Sequence, residues 1–290
     1  MSLAQLIPIL LQISISAVVL ALGMRTAPGD ATLLLRRPGQ LVRSLLAMLV
    51  VMPLFVVAAA AVFDLRPEVE IALLLLAVSP VPPVLPGKQT KAGGEFSYAI
   101  SLLATSATVA VVTAPLTVQG VAAGFGRIVQ VPMAVVGLTI AKTVFVPLLL
   151  GVALRRWLPG FARRAAAPLS VGGLVLLALV FIPMIAASWH AIVAQATDRS
   201  VLAIAAFIGV SLGVGHLLGG PEEGDRTVLA LSTACRHPGV ALAIAGAALP
   251  EQRVVTAVVL LSLLVGAIVT GPYVKWRKRT VASAAAAPVR

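Results

Sequence analysis

The residues able to do chemistry in this chain sit where a membrane helix is least expected to carry them. The run from Leu229 to Leu249 is long enough to cross a bilayer, yet its middle reads Cys235-Arg236-His237-Pro238-Gly239. An arginine at that depth costs about 2.5–3.5 kcal/mol on insertion scales. Pro238 lacks the N–H that a helix ladder needs, and Gly239 relaxes the backbone. Membrane proteins keep irregular backbone at such depth only where it lines a cavity or is buried in protein. A second interruption lies at Ser79-Pro80-Val81-Pro82-Pro83-Val84-Leu85-Pro86-Gly87, followed by polar Lys88-Gln89-Thr90-Lys91. Two broken spans at corresponding places in two halves point to an inverted-repeat transporter with its site near the midplane.

Within the apolar runs two cations remain, Arg236 and Lys142, while the ten carboxylates fall in loops or at span ends. Buried charges need partners. For Arg236 two readings stay open. A substrate anion could pair with the guanidinium fork, which matches a carboxylate or sulfonate bidentately. Alternatively, carbonyls freed by the proline-rich break could neutralise it. Lys142 is read as structural and Cys235 as small packing. Lys88 and Lys91 are read as cytoplasmic-side charges. His237 is read as a locally bonded helix-break residue, with a proton-switch role open through its near-neutral titration. His216 and His190 are given no role.

Several function classes are excluded. The chain has no HExxH, no GxxxxGK[ST] and no glycine-rich dinucleotide fingerprint. Ser232 and His237 form the only close nucleophile–base pair, without a supporting constellation. The expectation is a non-enzyme with no cofactor and no bound metal. One cysteine rules out a disulfide framework and a cysteine-built metal site. The net charge of +12 sits mostly in short loops, which is topology information and not a nucleic-acid footprint.

The elements that must position these residues follow from composition. The 290 residues are 60% hydrophobic and 11% charged, with mean hydropathy +1.06. A soluble domain carries about 25% charged residues, so this is an all-α polytopic membrane protein. Nine runs qualify as spans: 3–24, 41–63, 69–93, 95–118, 128–154, 169–188, 200–218, 227–249 and 254–273. They form a single membrane domain over 1–273, followed by a basic, disordered tail over 274–290. Arg25, Arg36, Arg37 and Arg43 fall on one side with Arg155, Arg156, Arg163, Arg164, Lys275, Arg277, Lys278 and Arg279. The other side collects Asp64, Glu68, Glu70, Asp198 and Glu251, with Arg66, Arg127, Arg199 and Arg253. The N-terminus is therefore placed outside and the C-terminus in the cytoplasm of a bacterial-type inner membrane. Abundant Gly and Ala suits close helix packing.

Motifs along nearly the whole chain resemble the bile acid:sodium symporter family. Ser14 to Met24 is similar to its first conserved span. Arg36-Arg37-Pro38 with Val51-Met52-Pro53-Leu54 resembles its "RRP … MPL" segment, and Ser79-Pro80 through Gly93-Gly94-Glu95 its "CPGG … ARGN" broken helix. Pro147 to Gly151 with Arg155-Arg156 resembles its "P-LLG … R" segment. Arg236-His237-Pro238-Gly239-Val240-Ala241 stands where the family has "QNSGLA". The resemblance implies two inverted repeats, about 1–120 and 128–273, with two broken helices crossing. It implies panel helices 3–24, 128–154 and 169–188 moving against core helices 41–63, 69–93, 95–118, 200–218, 227–249 and 254–273. It also implies transport of organic anions, commonly coupled to sodium.

The departures are chemical. Where the family places oxygen-bearing sodium ligands, this chain has Met48, Leu85, Pro86, Ala99, Leu103, Ser232 and Arg236. Hard cations need an oxygen cage, so sodium coupling is expected to be lost. The expectation is thus a secondary transporter of a small or amphipathic organic anion in the lipid bilayer. It works by alternating access with uniport, exchange or a proton. Substrate-binding candidates are Arg236, His237, Ser232, Thr233 and Gly239 on one break, with Pro86, Gly87 and Gln89 on the other. Two alternatives are a non-transporting ligand receptor on the same fold and a sodium-coupled symporter with rebuilt sites.

Overall fold

The computed structural model describes residues 3–27, 29–63, 65–124, 130–248 and 252–286. Asp64, Arg127 and Glu251, used above for the outer face, lie outside these residues, as does Pro28. The described residues are helical and contain no strand. In chain order the helices are α1 (Leu3–Arg25), α2 (Pro38–Leu45), α3 (Met52–Phe63), α4 (Pro67–Val78), α5 (Leu85–Lys91), α6 (Phe96–Gly124) and α7 (Met133–Ile140). There follow α8 (Val146–Trp157), α9 (Pro159–Ala187), α10 (Trp189–Gln195), α11 (Asp198–Leu218), α12 (Glu223–Ala234), α13 (Pro238–Ala248) and α14 (Gln252–Ala286). A 3-10 turn spans Asp30–Arg36, and π-helical turns at Leu46–Val51 and Ala141–Phe145 join α2 to α3 and α7 to α8.

Among the described residues, seven helical stretches are long and apolar enough to cross a membrane, or eight if α1 from Ile9 and the 3-10 turn, bent 72° apart, count as one. Of the nine runs read from the sequence, 3–24 and 69–93 are not among the seven. The first lies on α1. The second is divided by its prolines into a twelve-residue α4 and a seven-residue α5.

The helices pack as their side chains require. One large buried cluster runs through α3, α4, α6, α7, α11, α12, α13 and α14, and a smaller one (Met24, Ala162, Ala166) joins α1 to α9. Helix α1 lies along both α8 and α9. Its crossing with α8 is backbone on backbone: a Cβ on Gly23 would stand 2.3 Å from the Leu148 carbonyl oxygen, and one on Gly151 2.3 Å from that of Leu20.

The basic stretch after Tyr273 continues α14 to Ala286. Arg277, counted above among the loop cations, is 1% exposed. Its Nε donates to Thr227 Oγ1 at 2.7 Å, Nη2 donates to the Glu223 carbonyl at 3.0 Å, and Nη1 pairs with the Glu223 carboxylate. The guanidinium also lies 5.2 Å from the Trp276 ring centroid. Breaking a fully buried pair costs about 3–5 kcal/mol. Because the Glu223 side chain is 54% exposed, Arg277→Ala is expected to cost about 2 kcal/mol, the pair being partly screened. Thermal unfolding in detergent against wild type measures this.

Candidate functional site at the crossing of two helix breaks

Proline chemistry creates the site by leaving carbonyls without helical partners. Helix α4 stops at Val78, and Ser79 turns extended. Three and four residues beyond Ser79 stand Pro82 and Pro83, neither of which has an N–H to offer. In the π turn Leu46–Val51 the register is i to i+5, and five residues after Met48 comes Pro53. Helix α12 stops at Ala234, and Cys235 turns extended. Four residues after Thr233 is His237, whose N–H is committed to the Pro80 carbonyl at 2.9 Å. That bond ties the two breaks directly to each other.

The guanidinium of Arg236 collects these three carbonyls. Nε donates to Thr233 O at 3.0 Å, Nη1 to Ser79 O at 3.3 Å and Nη2 to Met48 O at 2.8 Å. Arg236 is 3% exposed. The C-terminal ends of α4 and α12 both face it, each carrying about half a negative charge from the helix dipole. Carbonyls and helix ends thus surround the cation, and among the described residues no carboxylate pairs with it.

The other candidates divide between linkers and open positions. Gln89 Nε2 donates to Ser232 Oγ at 2.7 Å and to the Val228 carbonyl at 2.9 Å, stitching α5 to α12. Thr233 Oγ1 turns back to Leu229 O at 2.8 Å. Pro86 is buried at the start of α5, where its carbonyl accepts from Thr90 Oγ1 at 2.9 Å. Gly87 faces open space, and a Cβ on Gly239 would stand 3.0 Å from His237 Cε1. His237 is 2% exposed, and both its ring nitrogens lack a hydrogen-bond partner; only its backbone makes the local bond expected of it. Leu85, Ala99 and Leu103 are buried in the apolar cluster. The Val81 N–H donates to Ser106 Oγ at 3.2 Å, which anchors the first break to α6. Gln89→Leu removes both links to α12 and takes the side-chain donor away from the buried Ser232 hydroxyl. The expected loss is about 2 kcal/mol, read as a lower unfolding temperature.

A family model described as the sodium bile acid symporter family matches residues 12–195, well over half of the chain. The chain belongs to that family. A comparison with curated proteins finds no match. The symporter match covers the first break and stops before the second.

The structure also shows what the residues alone did not reveal. The main-chain oxygens of Met48 and Ser79 were not among the substrate candidates, although Pro53, Pro82 and Pro83 stand in the sequence as markers of orphaned carbonyls. Lys88 was read as a cytoplasmic-side charge; its Nζ donates to Thr270 Oγ1 on α14 at 3.0 Å. Lys142 lies in the π turn between α7 and α8, where its carbonyl accepts from Gln12 Nε2 at 2.9 Å.

Proposed function

We propose that this chain is a secondary transporter of small or amphipathic organic anions in which Arg236 stands in for the coupling sodium ion. The observation that carries this reading is the guanidinium itself, held by the carbonyls of Met48, Ser79 and Thr233. Met48 and Arg236 are two of the positions where the resemblance puts sodium ligands. Leu85, Ala99 and Leu103 offer apolar side chains where oxygen is needed.

The consequence for energetics is direct. A coupling ion must enter, bind and leave in each cycle, and a covalently attached cation does none of these. The crossing keeps its central positive charge permanently, so no sodium gradient can be spent through it. Transport then runs as uniport or exchange, or with a proton.

The architecture that goes with this function is nine crossings in two inverted repeats, with the N-terminus outside and the C-terminus in the cytoplasm. Helices α1, α7–α8 and α9 form the panel, and the remaining spans form the core that carries the crossing. Alternating access is a rocking of the one against the other.

Flux separates the transporter from a receptor on the same fold. Purified protein in proteoliposomes is tested for uptake of labelled benzoate, toluenesulfonate and taurocholate, alongside thermal-shift binding of the same compounds. Protein-dependent uptake of at least one anion supports the proposal. Binding without flux across the panel supports the receptor and contradicts the proposal.

A further inference from the structure

A carrier for anions needs a cation that is still free to bind one, and the crossing's best-known charge is not free. Arg236 is 3% exposed and spends three donors on carbonyls. The other cation reaching this region is Lys88. It stands on the exposed side of α5 with Gly87, Thr90 and Lys91, while Leu85, Pro86 and Gln89 on the same helix are buried.

The Lys88 ammonium has one hydrogen bond, to the neutral hydroxyl of Thr270 at 3.0 Å. An ammonium has three donors and no acceptor, so two remain. Among the described residues no carboxylate pairs with it. Thr270 itself is fully buried on α14, so it fixes the ammonium against α14 without neutralising it. Lys91 follows at i+3 and adds a second charge on the same helix surface. The position is beside the crossing: the next residue, Gln89, donates to Ser232 Oγ on α12 at 2.7 Å, three residues before Cys235.

We propose that Lys88, steadied by Thr270, is the side chain that recognises the carboxylate or sulfonate of the transported anion, while Arg236 holds the crossing together. This rests on the organic-anion reading above. A lysine ammonium is a compact point charge with rotatable donors, suited to a single anionic group and undemanding about planar geometry. The two roles that one buried arginine was asked to play are thereby divided between two residues.

The single cysteine provides a test that needs no knowledge of the substrate. Cys235 is the only thiol in the chain and is partly exposed, so thiol labelling reports from that one place. Purified protein is reacted with three methanethiosulfonates: anionic sulfonatoethyl, cationic trimethylammonioethyl and neutral methyl. A fixed, water-facing cation concentrates anions about tenfold or more. Wild type is expected to react about tenfold faster with the anionic than with the cationic reagent. Lys88→Gln should remove most of that ratio, Lys88→Arg should keep it, and the neutral reagent should react equally with all three proteins. The inference is overturned if Lys88→Gln leaves the ratio unchanged, or if Cys235 reacts with none of the reagents. Flux is scored separately. A protein that keeps the Lys88-dependent preference yet moves no organic anion sinks the transporter reading, while Lys88 stands as a binding group.

Discussion

Arg236→Gln is expected to destabilise the protein by about 3 kcal/mol in choline medium and to make its stability respond to sodium. Losing the guanidinium orphans the carbonyls of Met48, Ser79 and Thr233. Each buried, unmet acceptor costs about 1–3 kcal/mol. Some of that loss is offset by the glutamine amide, which can reach one carbonyl. The three oxygens, a glutamine oxygen and the C-terminal ends of α4 and α12 would also form a small oxygen-lined site of negative potential. Hard cations are held by oxygen ligands of this type. Sodium should therefore restore part of the lost stability in the variant and do nothing for wild type, whose site is filled by its own side chain. Unfolding curves in matched sodium and choline buffers check both halves. Arg236→Leu, which adds no oxygen, should be destabilised without rescue. A wild type stabilised by sodium, or an Arg236→Gln protein as stable as wild type, would contradict the role assigned to the guanidinium.

Gly151→Ala is the second large effect, and it acts on the packing of α1 against α8. The new Cβ would stand 2.3 Å from the Leu20 carbonyl oxygen and 2.8 Å from Gly23 Cα. Both neighbours are backbone, so neither can swing aside as a flexible side chain could. Helix association in lipid depends on such close contact between small residues. Helices α1 and α8 must separate, and packing lost along the crossing is expected to cost about 3 kcal/mol, at the upper end of overpacking effects. Gly160→Ala serves as the control. It lies near the start of α9, where a Cβ meets nothing within 4 Å. The expected result is a lower unfolding temperature and broadened size-exclusion profile for Gly151→Ala alone.

Much of the fold was legible because hydrocarbon makes composition decisive. Apolar runs and proline breaks each report a cost that the bilayer imposes. The breaks at Ser79–Gly87 and Cys235–Gly239 were readable for the same reason, since proline cannot donate wherever it stands. Their mutual bond, from the His237 N–H to the Pro80 carbonyl, was not readable, because 157 residues separate the segments and no residue type marks a main-chain partner. The sequence could pose the choice for Arg236 between anion and carbonyls; only three-dimensional proximity supplied the carbonyls of Met48 and Ser79. Arg277 was misplaced for a related reason. In a stretch reading Lys275-Trp276-Arg277-Lys278-Arg279, charge density suggested a solvated tail. Yet α14 turns that one side chain under Glu223 and Thr227. Helical phase decided its burial, and composition does not encode phase in a run of like charges.

The account's central claim is that a built-in cation has replaced the coupling ion, and sodium dependence of flux tests it most directly. Proteoliposomes containing wild-type protein are given labelled organic anions with either sodium or choline outside, at equal ionic strength and with the membrane potential clamped. The expected result is equal initial uptake in both media and no labelled sodium carried in with the anion. Uptake that requires sodium, or sodium entering in fixed ratio to the anion, would contradict it.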